Sequence, residues 1–315
     1  GGTIASSPLA SLFNDDGSYR EFPNGEANFF NPLISLEEVT RNRWEDKLIL
    51  NLYADFKIAD GLNYRLKGST NQRYSKEESY WSSNSGLGIR NGATGSINNT
   101  KDNWLVLENV FTFNKVLNEE HSIDATFVNA LEKQTFTSQQ LNGEGFPNDL
   151  LGVHGIATAL RQSVSHEQDE RSLVSFMGRF QYGFKNKYMV NVTMRADASS
   201  VFSEDNKWGY FPSLALGWTI SRETFMEDFA ESISLSNLKL RASYGQVGNQ
   251  AIGPYQTLGT ANSYGYVFGD PGSVESNIGY APGSRLPNPN LRWETTTTFN
   301  TALDFAFLGR KISGS

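Results

Sequence analysis

The stretch from Lys47 to Lys67 sets the tightest limit on what this chain can become. Leu48, Leu50, Leu52, Ala54, Phe56 and Ile58 share one parity, while Asn51, Tyr53, Asp55 and Lys57 share the other. Successive strand side chains point to opposite faces, so this spacing builds a ribbon greasy on one side and mostly polar on the other. Asp60-Gly61 supplies a tight turn, and the return strand sets Leu62, Tyr64 and Leu66 against Asn63, Arg65 and Lys67. The result is a hairpin with its charges on a single side.

The alternation recurs. Leu105, Leu107, Phe111 and Phe113 share a parity, and Ile123, Ala125 and Phe127 follow after a short connection. Val174, Phe176, Phe180 and Tyr182 oppose Ser175, Arg179 and Gln181. After Lys185-Asn186, Tyr188, Val190, Val192 and Met194 oppose Asn191, Thr193, Arg195 and Asp197. Leu214, Leu216, Trp218 and Ile220 make a seventh strand, and Leu238, Leu240, Ala242 and Tyr244 an eighth. In the ninth, Trp293, Phe299, Leu303, Phe305 and Phe307 point outward while Glu294, Asn300 and Asp304 point inward.

Short turns near Asp60, Asn118 and Asn186, with a moderate connection over 221–237, alternate with long segments at 71–102, 132–170, 198–209 and 246–290. A transmembrane barrel has this asymmetry, with short periplasmic turns and longer extracellular loops. The moderate connection predicts a short helix capped by Ser221, with Phe225, Met226 and Phe229 on one side. The fold class is therefore all-β: an antiparallel up-and-down transmembrane β-barrel, present as about nine strands of a larger one. Residues 1–46 read as an extracellular loop remnant and 47–315 as the partial barrel. Because such barrels have paired edges and even strand counts, the chain reads as an internal piece.

Composition agrees by exclusion. The net charge of -7 and the lack of a basic run argue against nucleic acid. With no cysteine there is neither a disulfide framework nor a thiolate metal site. No apolar run reaches the roughly 18 residues of a membrane-spanning helix. The runner-up is a secreted carbohydrate-binding β-sandwich, which would bury its apolar parity instead of presenting it as a belt.

Three blocks resemble one family. They are RADASSVFSEDNKWGYFPSLALGWTISRETFM (Arg195–Met226), NLKLRASYGQVGNQAIGPY (Asn237–Tyr255) and LPNPNLRWETTTTFNTALDFAFL (Leu286–Leu308). In order and spacing they are similar to the later barrel of the SusC/RagA family of TonB-dependent outer-membrane importers. Ala198 and Val201-Phe202-Ser203 depart from the Gly and Arg-Phe-Gly common in that family. The resemblance implies a barrel of about 22 strands with a plugged lumen, in the bacterial outer membrane. It also implies a SusD-like surface lipoprotein as lid, energy from TonB-ExbB-ExbD through a plug, and oligosaccharides or peptides as cargo.

Candidate residues fall into three groups. Tyr80, Trp81, Tyr264 and Tyr266 are expected in extracellular loops, where aromatic faces suit either cargo, or else pack the loops and lid. Arg65, Arg179, Arg195, Asp197, Lys239, Arg241 and Glu294 are expected to face the lumen and plug. Trp208, Tyr210 and Phe211 are expected in the interfacial aromatic girdle. Enzyme chemistry has little support, and neither a cofactor nor a metal site is expected. His121, His154 and His166 lack ligand spacing, Asn14–Gly17 reads as a turn, and Gly86-Leu87-Gly88 is a weak phosphate-loop match. A glycosidase would need a carboxylate pair, for which Asp197 and Glu294 are the inward candidates.

Overall fold

A computed structural model of the chain describes residues 10–25, 30–268, 275–309 and 311–315, with 266–268 and 275–278 as backbone alone. The strands are β1 (Val39–Ala59), β2 (Leu62–Trp81), β3 (Thr94–Leu117), β4 (His121–Glu144), β5 (Arg161–Phe184) and β6 (Tyr188–Ser199). They continue as β7 (Trp208–Thr219), β8 (Leu235–Asn249), β9 (Ala261–Phe268), β10 (Glu275–Pro282), β11 (Glu294–Phe307) and β12 (Ile312–Gly314). Ten form one unclosed sheet in the order β1 to β8, then β11 and β12, while β9 and β10 pair as a separate ribbon. Neighbours in sequence are neighbours in the sheet, which is the up-and-down topology. Among the described residues no helix is long and apolar enough to cross a membrane.

The nine expected strands correspond to β1–β8 and β11; β9, β10 and β12 are additions. The expected long loops are also shorter. Residues 71–81, 94–102, 132–144 and 161–170 extend β2, β3, β4 and β5. A tilted strand crosses a bilayer in about 9–11 residues, whereas β2 has 20 and β3 has 24. The surplus of β2 sets Gln72, Lys76 and Glu78 on the outward parity, so it carries no apolar period to read. The remaining connections at 82–93, 145–160, 200–207 and 250–293 stay longer than those at 60–61, 118–120 and 185–187.

The short turns follow from backbone sterics. Gly61 has φ 77°, and a Cβ there would strike the Asn114 carbonyl oxygen, so only glycine fits. Asn118-Glu119 and Lys185-Asn186 each place two residues at positive φ, as tight hairpin turns require. The connection after β7 is not the single capped helix expected. It is two 3-10 turns followed by a one-and-a-half-turn helix, Glu227–Ser232, with no side-chain cap. Glu223 fixes it instead, accepting from Tyr188 Oη (2.6 Å), Trp218 Nε1 (2.9 Å) and Lys187 Nζ (3.2 Å). These donors, Tyr188 first, hold the Glu223 carboxyl below its usual range.

Two compact units divide the chain, one of residues 1–49, 71–104 and 135–169, the other of 50–70, 105–134 and 170–315. The first holds a small buried cluster. Tyr80, Ala93 and Val153 are buried together with Ile97 and Phe146 against them. Asn31, fully buried, caps the helix Pro32–Glu38 through Leu33 N and donates to the carbonyls of Leu12 and Arg20. Asn14–Gly17 is a turn, closed by Asn14 N to Ser18 O at 2.8 Å and by Asp16 accepting from Ser18.

In the second unit the register across β5, β6, β7, β8 and β11 sorts every side chain. Val174, Phe176, Phe180, Val192, Met194, Leu214, Leu216, Leu240, Tyr244, Phe299 and Leu303 share one face. Most stay exposed, between 39% and 69%. A sandwich would have buried this face, so the sandwich alternative fails on exposure. Tyr64 continues the apolar parity in β2, stacked between Phe56 (5.8 Å) and Phe111 (4.7 Å).

Adjacent residues should therefore respond oppositely to charge. Leu214→Arg on the apolar face of β7 should destabilise the membrane-inserted complete protein by about 2–4 kcal/mol. Ser213→Arg, one residue away on the polar face, should stay within about 1 kcal/mol. Equal losses in folding titrations into lipid vesicles would refute the assignment of faces.

Candidate functional site

The polar face gathers what the sequence scattered. Ser175 pairs with Asp197, Met177 with Arg195, Arg179 with Thr193, Gly217 with Arg241, Asp304 with Lys239 and Asn249 with Glu294. Direct partners in a sheet lie on one side. Arg179, Arg195, Asp197, Lys239, Arg241 and Glu294 thus share one face. Arg65, on the charged parity of β2, binds Asp55 through two bonds of 2.5 and 2.8 Å, with its guanidinium 4.8 Å from the Tyr53 ring.

Most of these charges are paired within the sheet, across strands or along one. Arg241 makes a two-pronged contact with Asp304 at 2.7 and 2.6 Å, and Lys67 meets Glu108 at 2.7 Å. Arg195 donates to Asp197 Oδ2 at 2.7 Å and to Ser175 Oγ at 3.2 Å. The arrangement is a polar wall of balanced charge, suited to neutral polar solutes and to a docked protein surface more than to one ion sign. Asp197 and Glu294 do not make a glycosidase pair. β7 and β8 lie between their strands, and three inter-strand steps amount to roughly 14 Å, beyond the separations that chemistry uses.

At the level where β6 and β7 leave the sheet, the wall carries a cleft of about 510 Å³ lined by Arg195, Asp197, Phe211, Asn249, Gln250 and Trp293. These six come from the three family-like blocks, which are far apart in sequence. Trp293 Nε1 donates to Lys207 O at 2.9 Å, and its ring meets Phe202 and Phe211 at 5.3 and 5.5 Å. Ser199, fully buried, donates to Gln250 Oε1 at 2.6 Å, while Ser203 and Asn206 donate to Pro289 O. Segment 200–207 is thereby tucked in, with Val201 and Phe202 buried.

Two expectations are corrected here. Phe211 is not a girdle residue: it pairs with Arg195 on the polar face and is only 5% exposed. Trp293 precedes β11 and packs into the cleft, not outward. Trp208, Tyr210 and Phe176 lie together on the apolar face, with Trp208 stacked 6.4 Å from Tyr210 and 6.3 Å from Phe176.

The four loop aromatics separate. Tyr80 and Trp81 end β2 and are not in a loop. Tyr80 is buried and donates to Asp149 Oδ1 at 2.8 Å; Ser83 donates to the same carboxylate through N (3.0 Å) and Oγ (2.5 Å). Burial, then the Asp149 bond, pushes the Tyr80 phenol well above its usual range. Burial opposes ionisation of Asp149, but the Ser83 and Tyr80 bonds outweigh it and leave its pKa lowered. Trp81 lies under Arg41, 5.3 Å away. Tyr264 is exposed on β9; Tyr266 is on the same strand, and its side chain lies outside the described residues. The histidines do not converge. His121 bonds Tyr182 Oη at 2.7 Å, His154 is in a 3-10 helix and His166 in β5. Among the described residues no group of three or more His, Asp or Glu could hold a metal.

Sequence reasoning missed Asp149, Phe202 and Gln250. Only Phe202 carried a signal, an aromatic inside a polar loop of a family-like block. Asp149 and Gln250 have ordinary loop neighbours, and only the fold brings their partners near.

Comparison with known proteins gives a consistent result. Residues 4–315 match the family model described as TonB dependent receptor-like, beta-barrel. A TonB-dependent receptor of Formosa agariphila is 29% identical over 99% of the chain, and the TonB-dependent receptor SusC of Bacteroides thetaiotaomicron is 33% identical over 96%. The chain spans 31% and 29% of those relatives' lengths. The solved structure of the RagAB peptide transporter superposes with a TM-score of 0.80 at 20% identity, covering 96% of this chain and 33% of that one.

The Tyr80–Asp149–Ser83 clasp makes a pH prediction. A carboxyl whose folded pKa is lowered stabilises above its unfolded value and loses that contribution as pH falls through the folded value. Segment 82–93 should thus keep its amide protection at neutral pH and lose it only below the ordinary carboxylate range. Asp149→Ala should remove it at every pH. Hydrogen exchange on the complete protein checks this, and unchanged protection in Asp149→Ala would refute the clasp.

Proposed function

The chain belongs to the TonB-dependent receptor β-barrel family, and from that premise we propose that its complete protein imports nutrients across a bacterial outer membrane. The observation that carries this reading is the register of β5 to β11, which sets an exposed apolar face against a wall of balanced charges. An aqueous, plugged lumen requires such a wall, and a lipid belt requires such a face. The cargo is an oligosaccharide or a peptide. SusC and the RagAB peptide transporter stand among the similar proteins, and the cleft by Arg195 and Trp293 offers donors, acceptors and a ring to either class.

The partner is a SusD-like surface lipoprotein, seated over the end of the barrel that bears the long connections, with Trp81, Tyr264 and Tyr266 toward lid or cargo. Energy comes from TonB-ExbB-ExbD acting through a plug. Arg65, Arg179, Lys239, Arg241 and Glu294 are the wall groups on which that plug rests. The residues before Val39 serve the extracellular side, and the ten-stranded sheet that begins with β1 forms the barrel wall.

Deleting the gene for the complete protein should abolish growth on one cargo class only, and a TonB deletion should reproduce the loss. Fluorescent maltohexaose and a labelled hexapeptide serve as probes, with uptake measured in whole cells. Uptake that persists without TonB would overturn the importer reading. Charge reversal at Arg241 should loosen the plug, seen as faster proteolysis of the plug in purified protein; unchanged protection would remove Arg241 from that role.

A further inference from the structure

The apolar face carries a feature that neither cargo nor plug explains. A trough of about 590 Å³ runs across β1 to β5, lined by Leu52, Gly68, Thr70, Leu107, Leu131 and Val174. All six share the apolar parity of their strands. Five adjacent strands at about 4.8 Å spacing make the trough roughly 19 Å long. On its second strand, a Cβ added to Gly68 would find no atom within 4 Å, so the notch is open where the neighbouring strands carry Leu52 and Leu107. We propose that this trough holds an acyl chain of an outer-leaflet lipid as a retained ligand.

Three observations support it. The trough is continuous with the membrane-facing belt, so hydrocarbon is the medium that reaches it. Its sill on the short-turn side is a row of rings, Phe56, Tyr64, Phe111 and Phe127, with centroids 5.8, 4.7 and 6.4 Å apart. On its other side Lys133 and Glu170, both on the outward parity, pair at 2.9 Å. An ion pair on a lipid-facing parity belongs at the polar boundary, because charge at the midplane is costly. Leu131 stands ten residues into β4 from the short turn, roughly 25 Å up a strand tilted by about 40°. That is the outer edge of an apolar band about 25 Å tall.

An unfilled trough would forfeit the dispersion contacts of its lining. A narrow, flexible chain recovers them. A second copy of the protein would need a projecting ridge of matching length and an interface of about 1,000 Å² or more.

The test uses the complete protein, extracted from native outer membranes and washed extensively in detergent, with bound lipid counted by native mass spectrometry. Wild type should retain one lipid, and Gly68→Leu should lower that retention at least fivefold. Thr301→Leu, which places the same leucine side chain on the apolar face of β11, should retain lipid as wild type does. Thr70→Leu closes the trough from a neighbouring outward position and serves if Gly68→Leu lowers the folded yield, which heat-modifiable gel mobility reports. Equal retention in wild type and the trough variants, or no lipid on wild type, overturns the proposal. So does disulfide cross-linking between two copies carrying Thr70→Cys, which would make the trough a protein interface. Each of these outcomes leaves cargo uptake untouched, so the importer reading stands or falls separately.

Discussion

Every backbone group that crosses hydrocarbon must find its partner inside the protein, and the rest of this structure follows from that constraint. Water cannot compensate an unpaired N–H or C=O there, at several kcal/mol each. The chain meets the requirement with a meander in which each strand hydrogen-bonds its neighbours in sequence, from β1 to β8 and on to β11. Pairing in this manner fixes the register, and a period of two then assigns each side chain to lipid or lumen. The exposed leucines and phenylalanines of β7 and β11 are solvated by a different solvent, which is why so apolar a face coexists with a low mean hydropathy.

On the polar face the constraint turns electrostatic. Arg65–Asp55, Lys67–Glu108, Arg195–Asp197 and Arg241–Asp304 are cross-strand or same-strand pairs with at least one partner substantially exposed. Such pairs contribute little stability each. Their value lies in keeping a dense set of charges without a net field across a wide polar wall. The three family-like blocks converge at the upper end of this wall, where Trp293, Phe202 and Phe211 pack segment 200–207 inward. Those blocks are distinctive because they fasten one another, with a fully buried serine and an indole N–H as the fasteners.

Legibility in the sequence tracked the solvent. Where one face met lipid, as at Leu48–Ile58 or Leu238–Tyr244, the alternation revealed the strand and its outward side. Where both faces met water or loops, as at Gln72–Trp81, the same backbone geometry left no apolar period, and strand was mistaken for loop. Phe211 misled for a related reason. It adjoins Trp208 and Tyr210 in sequence, but its parity is opposite, and the cradle left by Gly209 and Gly248 accepts its ring on the polar face. The Ser221 cap signal was real as chemistry yet lost to Glu223, whose three donors come from β6, β7 and the turn between β5 and β6.

The sequence by itself determined the strand count within the apolar band, the face of each strand and the family, because all three rest on local periodicity or contiguous blocks. Tertiary structure alone decided the extent of the strands beyond the band, the separate β9–β10 ribbon, the clasp of Tyr80 by Asp149 and Ser83, the cleft by Trp293 and the trough over Gly68. Each depends on groups tens of residues apart in the chain, and parity cannot encode which of them will meet.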